Sequence, residues 1–422
     1  MFSAFKGHCD KILLNQTNSQ FLAKYDNKLI TGTLFNTLAC SADYAPSFIR
    51  IDDTITFTDN IIDFALNDNY FIVITEFCII FGTLDKFEII ECYNLKLSIQ
   101  TERLKNIVLN KNNKFICTYY YLRYEQTSFR CVFGEIANDK IVIDAQNKLN
   151  TNILTKIALN DNDYYIICDC DKISCGKHPN ININLNSRIS IKNFAPQSVK
   201  LNNNNSFVIT SAFRNGIVVV GTIKPDDTKQ DVERYLFEKP YIFHTDSENV
   251  WYNLSLNDND RFVANCLSDK ERLLLVGNIR NKTINEIPID IINDSLTHDH
   301  KISTSYLAYK SFNYWYNVSI NNDDKFVGIY CENLVLIGRV NDYNEIDIER
   351  INEYKYDIKY ITMNNDFVIG VSKDGVLWGE ELKQVKYISF INYADNYEED
   401  EYSVIDVDSV ETYNDDNLID ID

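Results

Sequence analysis

The stretch Leu256-Asn257-Asp258-Asn259-Asp260-Arg261-Phe262-Val263 decides the fold. An apolar residue ends one strand, a turn of Asn and Asp follows, and an aromatic residue opens a second apolar strand. Asn and Asp tolerate left-handed backbone and form hydrogen bonds within their own turn, so they close a tight hairpin without glycine. A third apolar strand, Leu274-Leu275-Val276-Gly277, comes next. The stretch therefore predicts consecutive antiparallel strands.

The same order of residues recurs along the chain. Its copies begin at Leu14, Leu66, Leu109, Leu159, Leu201, Leu256, Ile320 and Met363. From Phe21 of the first copy to Phe367 of the last, the mean period is about 49 residues. This period, with strand signals only, is typical of one four-stranded propeller blade. We therefore predict an all-β propeller of about eight four-stranded blades, or seven if the first copy is not a full blade.

The other strands of each repeat differ in character. Third strands such as 78–82 and 218–221 are continuous apolar runs that end in glycine, which is typical of strands buried on both faces. More variable segments, such as 87–91 and 386–390, follow them. We expect these variable segments to form the outer edge strand of each blade.

The repeat resembles the WD-repeat superfamily of β-propellers, in which a Ser-Pro-Asp-Gly turn precedes an apolar strand and a Trp-Asp pair ends the next one. The copy from Asn257 to Gly277 carries the resemblance, although glycine replaces the family's aspartate and its His-Asp pairs are not evident. The segment 372–379, Ser-Lys-Asp-Gly-Val-Leu-Trp-Gly, equally resembles repeats of the regulator of chromosome condensation family. The resemblance implies a propeller over residues 1–392 that binds other proteins.

Charge and composition exclude several classes of function. The 422 residues carry a net charge of −20 at pH 7, which disfavours direct contact with nucleic acid or anionic membranes. No run approaches the roughly 18 apolar residues of a spanning helix, so we expect no membrane insertion. Residues 1–8 do not form a signal peptide, and the cysteine count of 11 is odd. We therefore expect a reducing intracellular compartment, namely the cytoplasm.

The C-terminal segment 393–422 is acidic and is predicted to be separate from the propeller. It contains twelve Asp and Glu and no Lys or Arg. Apolar residues alternate with the acids, which permits a strand that adds to the edge of a partner's sheet. The predicted partner-binding residues are Val404, Ile405, Val407, Leu418, Ile419 and Ile421. A disordered solubilising tail is the other interpretation of this segment.

One cluster of residues has the composition of a metal site. Cys168, Cys170, Cys175 and His178 could bind a structural zinc ion tetrahedrally, because two cysteines two apart on a strand point the same way. The alternative interpretation is that the cysteines are small buried residues of the blade. Apart from this zinc, the sequence predicts no cofactor.

The sequence contains no nucleophile, phosphate-loop or paired-histidine motif, so we predict a non-catalytic scaffold for protein–protein interaction. A propeller enzyme or small-ligand binder that uses the central channel is one alternative, and a histone- or chromatin-associated propeller is another. The abundance of Asn (51 residues), Ile, Lys and Tyr indicates an AT-rich genome. An amoebal giant virus would fit, and the protein would then be a virion or host-interaction component.

Overall fold

Eight four-stranded antiparallel sheets make up the computed structural model, one for each repeat of the sequence. The structure describes residues 9–392 except 16, 18, 35–48, 77, 96–101, 124–125, 150–155, 170–171, 180–187, 193, 213–215, 226–234, 246–249, 267–272, 289–314, 331–332, 355–356, 373–375 and 383–388. Every regular element in this part of the chain is a strand. The predictions of an all-β propeller and of eight rather than seven blades are therefore confirmed.

The first four blades each consist of four consecutive strands. They are β1 (Cys9–Leu14), β2 (Gln20–Tyr25), β3 (Lys28–Leu34) and β4 (Ile49–Thr56); β5 (Asp63–Leu66), β6 (Tyr70–Ile74), β7 (Cys78–Thr83) and β8 (Glu88–Asn94); β9 (Glu102–Leu109), β10 (Lys114–Arg123), β11 (Gln126–Ala137) and β12 (Lys140–Leu149); and β13 (Lys156–Leu159), β14 (Tyr164–Asp169), β15 (Lys172–Lys177) and β16 (Arg188–Ser190).

Blades 5 to 8 follow the same plan. They are β17 (Pro196–Leu201), β18 (Ser206–Ser211), β19 (Ile217–Pro225) and β20 (Tyr235–His244); β21 (Trp251–Leu256), β22 (Arg261–Cys266), β23 (Leu273–Asn278) and β24 (Thr283–Pro288); β25 (Trp315–Ile320), β26 (Lys325–Tyr330), β27 (Leu334–Val340) and β28 (Ile346–Glu353); and β29 (Ile358–Met363), β30 (Phe367–Ser372), β31 (Val376–Glu381) and β32 (Ser389–Asn392).

The first strands of the blades line the central channel. Each sheet is ordered as the chain runs, and first strands contact the first strands of neighbouring blades, as β17 contacts β21 and β25 contacts β29. The fourth strands therefore form the outer rim. The ring closes where blade 8 packs on blade 1, with Ile12 and Leu14 in one apolar cluster with Phe367 and Ile369. Each blade is built from its own strands, so packing rather than strand exchange joins the ends of the described chain.

The repeated aromatic and the repeated glycine are partners across two strands. In blades 1 to 7 an aromatic residue of the second strand lies opposite a glycine of the third, as Phe115 lies opposite Gly134. Blade 8 exchanges the two, with Trp378 on the third strand opposite Gly370 on the second. In six of the eight pairs the aromatic ring occupies the space that a Cβ atom at the glycine would need, namely at Gly32, Gly82, Gly134, Gly221, Gly277 and Gly370. This pairing explains why the two residue types recur together in the sequence.

Third and fourth strands differ in burial as the sequence predicts. The third strand β23 is almost entirely buried, whereas Ile89 and Ile90 of the fourth strand β8 are 44% and 37% exposed. Apolar clusters fill the spaces between adjacent blades, so each blade depends on its neighbours. No helix within the described ranges is long and apolar enough to cross a membrane. The acidic segment 393–422 lies outside the described residues, and its predicted partner-binding role stays a prediction.

Candidate functional site: the asparagine ring and the central channel

The turn between the first and second strands of every blade begins with a buried asparagine. These ring asparagines are Asn15, Asn67, Asn110, Asn160, Asn202, Asn257, Asn321 and Asn364. Since the first strands line the channel and run in the same direction in every blade, all eight turns lie at one mouth of the channel.

Each ring asparagine stabilises its own turn. The Oδ1 atom of Asn202 accepts hydrogen bonds from the backbone N–H groups of Asn204 (3.0 Å) and Ser206 (2.9 Å). Asn257 does the same with Asn259 and Arg261, at 3.1 and 2.9 Å. The side chain thus satisfies two donors that a tight hairpin turn leaves without strand partners.

The same side chains also connect the blades. The Nδ2 atom of each ring asparagine donates to the backbone carbonyl of the ring asparagine in the following blade, at 2.8 to 3.1 Å. Asn364 of blade 8 donates to the carbonyl of Asn15 in blade 1, at 3.1 Å. Eight hydrogen bonds therefore form a closed circle around the channel mouth.

In five of the ring asparagines, the Nδ2 atom also donates its second hydrogen to a side chain of the following blade. The acceptors are the side chains of Asn113, Asp163, Asn205, Asp260 and Asp324, at 2.7 to 2.9 Å. These acceptors stand fourth in their turns and have positive φ angles between 59° and 67°, a conformation that Asn and Asp adopt more readily than most residues. The repeated turn sequence therefore supplies both the backbone shape and the acceptor.

A second tier of hydrogen bonds lies beside the ring. From blade 3 to blade 8, the backbone N–H after each ring asparagine donates to the side chain at the same position in the next blade. Asp161 and Asp258, for example, accept from Lys111 and Asn203 at 3.0 and 2.9 Å. These carboxylates are therefore acceptors in a network of hydrogen bonds that connects adjacent blades at the channel mouth.

Asp163 shows the electrostatic effect of this network. Burial alone would raise its pKa, but hydrogen bonds from Lys114, Asn112 and Asn110 hold the pKa of the carboxyl below its usual value. The Lys114 ammonium lies 2.9 Å from Asp163 Oδ2. The carboxylate is therefore stabilised in its charged form, which suits a structural acceptor better than a proton donor in catalysis.

Lysine side chains gather in the channel itself. Lys11 on β1 lies 2.7 Å from Asp63 Oδ1 and also donates to the carbonyl of Phe64. Lys156 stands at the start of β13, and its pKa is lowered by burial and by Lys105, while Asp63 opposes the shift. Burial and the Lys11 ammonium lower the pKa of Lys200 on β17. Lys200 is nevertheless accessible to solvent, as expected for a residue that protein surrounds but water reaches through a channel.

The predicted zinc ligands lie in two different places. Cys168 and Cys175 are buried in the apolar cluster between blades 4 and 5, and burial raises the pKa of the Cys175 thiol. His178 instead packs on Phe133 of blade 3, with ring centroids 5.7 Å apart, and Cys170 lies outside the described residues. Within the described ranges, no three His, Cys, Asp or Glu side chains form a group that could hold a metal ion. The zinc hypothesis stays a prediction.

His178 is buried and is expected to make the protein sensitive to acid. Burial and the charge of Lys114 lower its pKa to about 4, against the opposing effects of Asp163 and of the backbone at Gly134 and Phe115. Asp144 lies 3.7 Å from His178 Nε2. The unfolded chain therefore binds a proton near pH 6.5 that the folded protein does not bind, so stability falls as pH drops from 6.5 towards 4.

We expect this effect to cost about 2 kcal/mol of unfolding free energy by pH 5. Urea unfolding at pH 7.5 and pH 5, compared between the wild type and His178→Gln, measures it. The glutamine variant should lose about 2 kcal/mol less than the wild type between the two pH values. An equal loss in both proteins would contradict the assignment.

Several large apolar side chains are exposed on the outer rim. Ile89 and Ile90 on β8 and Val142 on β12 lie on adjacent blades, whose outer strands are in contact. Tyr241 and Ile242 are 45% and 39% exposed on β20 of blade 5. Isolated exposed apolar residues are ordinary, but grouped ones mark interaction sites.

The repeated sequence predicts the turns but not the circle of hydrogen bonds that they form. The missed signal is visible in the repeat, because asparagine stands first in all eight turns whereas the residues after it vary. If the side chain only had to stabilise its own turn, Asp or Ser could stand at this position as well. Only the amide can accept from its own turn and also donate to the next blade.

No protein-family model matches the sequence, and no curated protein matches it. Among solved structures, Sqt1 of Saccharomyces cerevisiae is similar with a TM-score of 0.58 and 8% identity, over 90% of this chain and 99% of that chain. The β-propeller domain of Myceliophteria thermophila Cps50 (Swd1) gives a TM-score of 0.50 and 9% identity, over 78% and 94% of the two chains. The WD40 repeats of RRP9 give 0.48 and 8%, over 88% and 89%. The predicted resemblance to WD-repeat propellers is confirmed at the level of the fold.

Proposed function

We propose that this propeller is a non-catalytic scaffold that binds other proteins through its outer rim and its acidic C-terminal segment. The observation that carries the proposal is the group of exposed apolar residues Ile89, Ile90 and Val142 on the rim of blades 2 and 3. Burial of such a group against a partner removes apolar surface from water, which is the main favourable contribution to association.

The rim of blades 2 and 3 has the features of a docking edge. The Ile141 N–H donates to a Glu91 carboxylate oxygen at 2.5 Å, which connects the two outer strands. As the last strands of their sheets, β8 and β12 present backbone groups on their outward side. An extended partner segment can add to such an edge while apolar side chains supply affinity.

The acidic segment supports a second contact with partners. Its carboxylates would meet a basic surface, and its apolar residues would add to a sheet edge; they are Val404, Ile405, Val407, Leu418, Ile419 and Ile421. We further propose an intracellular, reducing location. The AT-rich composition supports a giant-virus source, in which this scaffold would serve as a virion or host-interaction component.

The rim is tested by a pair of charge substitutions. We expect Ile90→Asp combined with Val142→Asp to reduce recovery of a stoichiometric partner about tenfold or more, because each buries a charge in the interface. Tyr343→Ser is the matched control, since Tyr343 is 79% exposed on the β27–β28 turn of another blade. Affinity purification at low salt from the native source, with quantitative mass spectrometry, measures recovery.

The contribution of the acidic segment is measured in parallel with a chain truncated after Tyr393. Loss of a partner with the truncation but not with the rim variants assigns that partner to the segment. If wild type, rim variant and truncated chain all return alone and monomeric, the scaffold function is wrong.

A further inference from the structure

Lysines of different blades stand on the innermost strands, which line the central channel. Lys11 lies on β1 of blade 1 and Lys200 on β17 of blade 5, and blades 1 and 5 lie opposite each other in a ring of eight. Lys105 and Lys200 are exposed although they stand on these innermost strands, and Lys11 reaches Asp63 on the first strand of blade 2 at 2.7 Å. The lowering of the Lys200 pKa by Lys11 agrees with side chains that face the same channel. Lys105 and Lys156, on the first strands of blades 3 and 4, also repel each other.

The four lysines lie at similar depths. Each lysine precedes the ring asparagine of its own blade by a few residues. Lys200 precedes it by two residues, Lys11 and Lys156 precede it by four, and Lys105 precedes it by five. A strand rises about 3.3 Å per residue, so these positions span about 10 Å along the channel. Lys105 is the extra residue of a bulge in β9 and is exposed.

Among the described side chains of this part of the channel, the positive charge exceeds the negative charge. Among the described side chains two to five residues before a ring asparagine, Asp63 is the one carboxylate. Lys11 binds its Oδ1 atom, and the N–H of Ile107 donates to its Oδ2 atom at 3.0 Å. A cationic channel stands out in a protein whose net charge is −20, because random placement of its charges would make the channel acidic.

We propose that the central channel binds a small polyphosphate anion through the ammonium groups of Lys11, Lys105, Lys156 and Lys200. This binding site goes beyond the scaffold function and does not depend on it. An anion at this place would offset the mutual repulsion of ammonium groups that several blades direct into one channel. A channel walled by protein would also strengthen the attraction relative to an exposed surface.

The geometry favours a compact anion over an acidic peptide. A short polyphosphate carries several charges within a few ångströms and meets ammonium groups from several blades at once. Lysine binds phosphate as a point charge and needs no fixed orientation of the ligand. An extended peptide presents carboxylates on one side only about every 7 Å, so few of them would reach the same depth.

Titration calorimetry of the full chain with inorganic tripolyphosphate tests the site. We expect one anion per chain, with affinity that falls as salt rises. Lys200→Gln and Lys156→Gln should each weaken binding about tenfold or more, as expected for loss of a charged hydrogen-bond partner. Lys86→Gln, in an exposed turn of blade 2, should leave binding unchanged.

Thermal unfolding gives a second readout that does not rely on affinity. Without the anion, Lys200→Gln should unfold at a higher temperature than the wild type, because one of several like charges that face the channel is gone. Tripolyphosphate should raise the unfolding temperature of the wild type more than that of Lys200→Gln.

Absence of binding, or equal weakening by Lys86→Gln, would overturn the proposal. Binding only after truncation at Tyr393 would also overturn it, since the acidic segment would then occupy the channel of the intact chain.

Discussion

Replacement of Asn202 by alanine is expected to destabilise the propeller by about 3–5 kcal/mol. The substitution removes two hydrogen bonds within the turn, from the N–H groups of Asn204 and Ser206. It also removes the two bonds to blade 6, to the Asn257 carbonyl at 2.8 Å and to Asp260 Oδ1 at 2.7 Å. Asn202 is buried, so water does not readily replace these partners. Urea unfolding at pH 7.5 measures the loss.

Asn341 provides a matched control for the local part of this effect. Its Oδ1 atom accepts from the N–H groups of Tyr343 and Glu345, both at 3.0 Å, in the same kind of turn. That turn joins β27 and β28 at the rim and takes no part in the ring. We expect Asn341→Ala to cost about 1 kcal/mol. Equal losses for Asn202→Ala and Asn341→Ala would show that the contacts between blades add nothing.

A second pair of variants separates the two roles of the amide more sharply. Asn202→Asp keeps an oxygen acceptor for the turn but places a carboxylate against the Asn257 carbonyl and Asp260. We expect it to be at least as damaging at pH 7.5 as Asn202→Ala. Asn341→Asp should cost only about 1 kcal/mol or less, because the carboxylates of Glu345 and Asp347 that would repel it lie on the exposed surface. A neutral Asn202→Asp would contradict the proposed role of the Nδ2 donor.

Gly134→Ala is expected to destabilise the protein by about 3 kcal/mol. A Cβ atom at this position would lie 2.5 Å from Phe115 Cζ and 2.6 Å from the Val142 carbonyl oxygen. The ring is fully buried, and the carbonyl belongs to the paired backbone of β12. Neither can move away without loss of packing or of strand pairing. Calorimetric or urea unfolding measures the change.

Gly379→Ala is the control for this substitution. A Cβ atom at Gly379 would lie 2.9 to 3.2 Å from side-chain atoms of Leu34 and Ile49. These aliphatic side chains can rotate away, unlike a backbone carbonyl. We expect a loss of about 1 kcal/mol or less. Phe115→Leu in the Gly134→Ala background should recover part of the stability, because it removes the ring but not the carbonyl contact. If Gly134→Ala costs no more than Gly379→Ala, the aromatic–glycine pair is not a packing requirement.

The repeat predicted most of the fold because its signals are local. The turn at Asn257, the aromatic at Phe262 and the glycine at Gly277 each fix a short piece of backbone, and their order fixes the strand order of a blade. The buried third strands and exposed edge strands also followed from the residues within each strand. These features require no knowledge of what lies beyond the blade.

The sequence could not show which side chains converge from different blades. Cys175 and His178 are three residues apart, and this spacing suggested one metal site, yet they pack against opposite neighbouring blades. An odd spacing on a strand sends side chains to opposite faces, so the local pattern already opposed their convergence. Lys11 and Lys200, by contrast, are far apart in sequence but stand on strands that line the same channel.

The sequence by itself predicted four-stranded blades, eight or seven of them, and the turn that opens every second strand. Only the tertiary structure decided that there are eight blades, that eight turn asparagines form a closed circle, and that strands carrying lysines from four blades line one channel. The physical reason is distance along the chain. A turn is stabilised by atoms within a few residues, whereas the circle and the charged channel exist only once blade 8 has packed on blade 1.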